Sequence, residues 1–125
     1  MKKILVAAMS IAILCSLFGF KKDTYVIYCL PLRTRFFVPP DKEHIMKYGT
    51  RVETSEPSSF VELVLNSQSS KAEPEDFNNL RVLIIRTNDN LELYITSDKK
   101  VLVSDKKYNV DNKKIDDLLS HVGCH

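Results

Sequence analysis

Apolar positions along this chain recur with three different rhythms, and each predicts a different kind of element. The first is a run from Ile4 to Phe18 without a single charge, set behind Met1-Lys2-Lys3, which is the layout of a secretory signal. The second is extended. Thr24-Tyr25-Val26-Ile27-Tyr28-Cys29-Leu30 is β-branched and aromatic up to Pro31, as in a strand buried on both faces. Leu32, Thr34, Phe36 and Val38 then alternate with Arg33, Arg35 and Phe37, which predicts another extended stretch ending at Pro39-Pro40. Residues 81–87, the turn Asn88-Asp89-Asn90 and residues 91–96 form a hairpin pattern, with Leu91, Leu93 and Ile95 expected inward and Glu92, Tyr94 and Thr96 outward. The turns Ser97-Asp98-Lys99-Lys100 and Ser104-Asp105-Lys106-Lys107 lead on into Val101-Leu102-Val103 and Tyr108-Asn109-Val110, completing an antiparallel meander.

The third rhythm is helical. Asp41 caps a short helix over residues 42–48, with Gly49 as its stop, and a short strand follows at residues 50–54. Residues 55–70 contain a second helix, in which Ser59-Phe60-Val61-Glu62 fits a capping box and Phe60, Val61, Val64 and Leu65 make one apolar, core-facing side. Asp111 caps a third, from residue 112 to about His121, with Ile115, Leu118, Leu119 and Val122 as its buried stripe and Gly123 as its stop. Between the second helix and the hairpin, residues 66–79 are polar and read as an exposed linker pinned by Phe77 and Leu80. The expected fold is α+β: a mostly antiparallel sheet with a C-terminal three-strand meander and two to three helices packed on one face, in one domain over residues 20–125.

The export reading changes both the charge and the cysteine count. An apolar run of about fifteen residues is shorter than the roughly twenty that span a bilayer, so residues 1–19 are expected to be cleaved rather than kept as an anchor. The cut itself fits poorly: Leu17 or Leu14 stands where a small residue belongs, and Ala12-Ile13-Leu14 before Cys15 is no lipobox. Contact with a membrane is expected only through this segment, if it stays uncleaved or lipidated. Without Lys2 and Lys3, the 18 basic residues become 16 and balance the 16 acidic ones. A neutral domain has no electrostatic footprint for a phosphate backbone, which excludes nucleic acid as the expected partner. Of three cysteines, Cys29 and Cys124 then remain, one near each end of the domain, and in an oxidising compartment they are expected to pair, a closure worth roughly 4 kcal/mol. The expected location is periplasmic or extracellular.

No constellation for chemistry emerges. The sequence has no G-x-S-x-G, P-loop or H-E-x-x-H, and His44 stands apart from His121 and His125. The C-terminal His121-Val122-Gly123-Cys124-His125 lacks the second ligand pair that a tetrahedral metal site needs. The spacing of Asp105, Asn109, Asp111, Asn112, Asp116 and Asp117 does not match a calcium loop. Glu73, Glu75 and Asp76 fall in the linker, where nothing is expected to perturb them. No catalytic, cofactor-binding or metal-ligating residue is assigned, and no cofactor is expected. The stretch with interface composition is the extended one, where Arg33, Arg35 and Phe37 share the side opposite Phe36 and form the candidate partner surface. The expected function is that of an exported, non-enzymatic envelope protein that binds an unidentified protein as an inhibitor, immunity or accessory factor. A membrane-anchored structural component and a small-ligand or lipid carrier are the alternatives.

Overall fold

The computed structural model describes residues 23–31 and 40–124. The export segment and the Arg33, Arg35 and Phe37 surface lie outside these residues. Among the described residues, seven strands form one antiparallel sheet: β1 (Tyr25–Cys29), β2 (Thr50–Thr54), β3 (Ser69–Lys71), β4 (Leu80–Arg86), β5 (Leu91–Thr96), β6 (Val101–Val103) and β7 (Lys106–Tyr108). Their order across the sheet is β2-β1-β4-β5-β6-β7-β3, so β4 to β7 form a meander of sequential neighbours. Three helices accompany the sheet among the described residues: α1 (Lys42–Tyr48), α2 (Ser58–Leu65) and α3 (Asn112–Val122). The α+β expectation is met, and the last strand falls at residues 106–108 rather than 108–110.

β4 runs Leu-Arg-Val-Leu-Ile-Ile-Arg, and its side chains are buried on both faces of the sheet. Val82 and Ile84 join the larger cluster, which contains Ile27, Leu93, Ile95 and Val101 together with Val61 and Val64 of α2 and Ile115 and Leu119 of α3. Leu83 points the other way, into a second cluster with Leu30, Ile45 of α1, Leu80 and Leu102. Leu80 and Val82 therefore serve opposite faces although they are two residues apart, because a bulge between them shifts the register against β5. So α2 and α3 share one face, and α1 covers the other. Tyr94 packs against this second cluster and Thr96 is fully buried, although both were expected, with Glu92, to face solvent. Burial holds the Tyr94 phenol in its neutral form, pushed up to about 12, with the Glu92 carboxylate adding to the shift. Lys42 of α1 pairs with Glu92 on the same face.

Helix ends follow the residues that can satisfy them. The Asp41 carboxylate accepts from the His44 N–H at 2.9 Å, and that of Asp111 accepts from the Lys113 N–H at 3.0 Å. Gly123 ends α3 at φ 78°, in the left-handed region glycine enters freely. Gly49 ends α1 for a different reason: a Cβ there would collide with the Ile45 carbonyl and press on the Cys29 backbone. At the start of α2 the expected capping box is not formed; Pro57 precedes the first turn, and no side chain caps it. Each tight meander turn has one left-handed residue, Asn90 (φ 57°), Lys99 (φ 62°) and Ser104 (φ 56°). Only asparagine among these adopts that region readily.

Cys29 at the end of β1 and Cys124 beyond α3 stand at disulfide distance, their Cα atoms 5.8 Å apart across a sequence separation of 95. Both are buried in the larger cluster, so the link pins α3 to the strand beside β4. Reduction, or Cys29→Ser with Cys124→Ser, should lower unfolding free energy by about 4 kcal/mol, as followed by denaturant titration with and without reductant. Equal midpoints under the two conditions would count against the bond.

Candidate functional site

Two surface grooves and one buried ion cluster contain most of the polar chemistry that the fold brings together. The cluster centres on Asp76, whose side chain is 3% exposed. It lies in a short 3-10 helix, Pro74–Phe77, inside the stretch expected to be a solvated linker. That expectation fails for a specific reason: before Glu73, β3 pairs with β7 and the N–H of buried Ala72 donates to the Asp105 carbonyl at 2.8 Å, and after it the Ser97 N–H donates to the Asn79 carbonyl at 2.9 Å, so the segment is stitched down at both ends.

Asp76 accepts from the Glu73 N–H at 2.8 Å, and Lys100 and Lys107 approach it at 3.1 and 3.5 Å. The Glu73 N–H first, then the two ammonium groups, hold the Asp76 carboxyl below the usual carboxylate range against the opposing effect of burial. Lys100 also lies 3.4 Å from Asp98, and its ammonium is held above its ordinary value by Asp76 first and Asp98 next. Burial pushes Asp98 up, but the Thr96 hydroxyl that donates to it and the Lys100 charge outweigh this, and its carboxyl is lowered. Lys99 pairs with Asp116 of α3 at 2.8 Å.

The first groove, about 480 Å³, opens above this cluster between the β5–β6 turn, β3 and β7, with Ser69, Ser70, Lys99, Lys100, Lys107 and Asn109 in its wall. Three lysines along one groove suggest an anion site. The pairings argue otherwise, because Asp76, Asp98 and Asp116 already face those three charges. The arrangement ties four segments together and leaves no excess positive charge for a ligand.

The second groove, about 420 Å³, lies between α2 and α3 on the face of the larger cluster. Glu56, Ser59, Phe60 and Leu63 line it from one side, and Lys114, Asp117, Leu118 and His121 from the other. Both sets have the spacing i, i+3, i+4, i+7; α3 presents its four as one stripe, whereas Glu56 stands in the turn before α2, ahead of Ser59, Phe60 and Leu63. Phe60 and Leu118, each 7% exposed, belong to the buried cluster, whereas Leu63 is 42% exposed. Leu65, expected in the core, is 39% exposed, while Phe60, Val61 and Val64 are buried as expected. The His121 ring nitrogen Nδ1 lies 2.8 Å from the Asp117 carbonyl, which fixes the ring along its own helix. Ser59 shares the groove with His121, but no hydrogen bond joins them, so the pair is not coupled as nucleophile and base.

His44 sits on α1 with its ring 4.9 Å from that of Tyr48, away from this groove. Among the described residues, no three His, Cys, Asp or Glu side chains are placed to hold a metal ion, and no helix is long and apolar enough to cross a membrane. Comparison of the chain with protein-family models, with curated proteins and with solved structures returned no match.

The Asp76 cluster makes a sharp statement about pH. A carboxyl lowered on folding contributes stability above its unfolded value, near pH 4, and that contribution is lost as pH falls through the folded value. Asp76→Asn should therefore destabilise the protein by about 2 kcal/mol at pH 7 and by progressively less toward pH 2. Urea unfolding of the parent and the variant across that range checks it; a difference that stays constant with pH would contradict the assignment.

Proposed function

We propose that this chain is an exported, non-enzymatic envelope protein that acts by binding another protein, as an inhibitor, immunity or accessory factor, and that the α2–α3 groove is its docking surface. The observation that supports this reading is the exposed Leu63 standing over a groove floored by Phe60 and Leu118. An apolar floor between two helices and a mixed-charge rim, Glu56 on one side and Lys114 and Asp117 on the other, make a receptor for an aliphatic or aromatic anchor. The partner is accordingly a protein that presents one apolar side chain with polar flanks, in the same compartment.

Capture from envelope extract with a C-terminally tagged chain, parent against Leu63→Asp, tests the groove. Covering Leu63 is worth about 1–2 kcal/mol, so recovery of one specific protein should fall roughly tenfold or more in the variant, with no change in thermal midpoint. Capture that is unaffected by the substitution would sink the groove reading, and the absence of any specific protein would sink the binding reading.

Export is tested separately. The chain recovered from the envelope should have the mass of a protein that begins near residue 20 and contains one disulfide. The mass of an intact Met1 end would favour an anchored component instead.

A further inference from the structure

Among the described residues, β2 has a neighbour on one side only, and the direction of its free groups can be worked out from the other side of β1. The Leu30 N–H donates to the Arg81 carbonyl at 2.7 Å, and the Thr87 N–H donates to the Thr24 carbonyl at 3.0 Å, so Thr24 and Leu30 aim their backbone groups at β4. In an antiparallel ladder successive residues aim to opposite sides, so Tyr25, Ile27 and Cys29 aim at β2. Their partners there are Thr54, Val52 and Thr50. The backbone groups of Arg51 and Glu53 therefore point outward.

Among the described residues this edge has two charges of opposite sign, Arg51 and Glu53, and no proline, bulge or inward lysine. Natural sheets blunt an exposed edge with a proline, a bulge, an inward lysine or extreme shortness. β3, at the other edge, is three polar residues ending in Lys71, whereas β2 has five residues in unbroken register with β1. Its sequence, Thr50-Arg51-Val52-Glu53-Thr54, is a palindrome in which charge reverses about Val52. Turned against itself about that residue, Thr50 meets Thr54, Val52 meets Val52, and Arg51 meets Glu53 twice. Threonine pairs, β-branched pairs and opposite charges are the cross-strand neighbours that stabilise an antiparallel ladder. The helix leading into the edge also has two exposed large apolar side chains, Met46 (41%) and Tyr48 (64%).

We propose that β2 joins two copies of this chain, edge to edge and antiparallel about a two-fold axis through Val52, so that the sheet of one copy continues into that of the other. The paired residues at the centre are Arg51 and Glu53, which exchange both backbone hydrogen bonds across the axis. Within one copy these side chains already form a 2.6 Å ion pair and are 52% and 57% exposed, so charge reversal at either position leaves the fold in place. A short strand pair is a small interface, so the dimer is weak and dependent on concentration.

Sedimentation velocity of the purified protein from ~10 μM to ~1 mM tests this, the upper limit being that of millimolar association. The parent should shift from monomer toward dimer with concentration. Arg51→Glu alone and Glu53→Arg alone should each lose the dimer, because like charges then oppose one another at both central pairs. An equimolar mixture of the two variants should regain it, since the acidic pair of one copy then faces the basic pair of the other. A parent that stays monomeric throughout, variants that still dimerise, or a mixture that stays monomeric would each overturn the proposal.

Discussion

Everything else in this fold follows from the burial of β4 on both faces. Val82 and Ile84 on one side and Leu83 on the other are each worth roughly 1.5–3 kcal/mol only if helices cover both surfaces of the sheet. One cover would leave part of the most apolar strand in water. The chain meets the demand unequally: α2 and α3 together cover the larger cluster, while α1, one turn of buried contact around Ile45, shares the smaller one with the loop that contains Ala72 and Phe77. Alternation lets β4 serve both sides, and the bulge between Leu80 and Val82 turns Leu80 to the smaller cluster, out of phase with Val82 and Ile84.

Most elements were legible because their signals are local. Asp41 and Asp111 as caps, Gly49 and Gly123 as stops, the hairpin around residues 88–90 and the buried stripe of α3 are all found where the residues place them. The misreadings of Tyr94 and Thr96 share one cause, the second face of the sheet. Tyr94 and Thr96 alternate correctly with Leu93 and Ile95, but alternation says only that two faces differ, not that one is wet. The polar stretch at residues 66–79 failed for a related reason. Its composition is that of a linker, yet its attachment depends on the pairing of Ser69–Lys71 with the distant β7, where Lys71 meets Lys106, and on Asp76 meeting Lys100 and Lys107. No local signal marks a buried aspartate whose cations come from two later strands.

The lysine doublets show how little a charge run says before the fold is known. Lys99-Lys100 and Lys106-Lys107 read as solvated turns, but they behave as different residues. Lys100 and Lys107 converge on one carboxylate, Lys99 reaches Asp116 on α3, and Lys106 stays exposed. Pairs this close to the surface are each worth about 1 kcal/mol or less when taken singly, so their main effect is on register. They hold β7, the 3-10 helix, the β5–β6 turn and α3 against one another, and they neutralise the groove above. The abundance of lysine there is therefore an argument about architecture.

The α2–α3 groove was invisible for a geometric reason. Each of its stripes is an ordinary amphipathic boundary, half core and half rim, and Phe60 and Leu118 belong to the core in any reading of their own helix. Only when the two helices lie on the same face do Leu63 and Leu118 become two walls of one feature. The Cys29–Cys124 link bears directly on this, since it anchors the C-terminal end of α3, where His121 and Leu118 lie, to β1, the strand between β2 and β4. A groove between two short helices keeps its width only if neither can slide, and here one helix is held covalently while the other is held by Val61 and Val64 in the core. Among the described residues β2 contributes to neither cluster and pairs on one side only, so the helices that fix the groove do nothing to cover this strand.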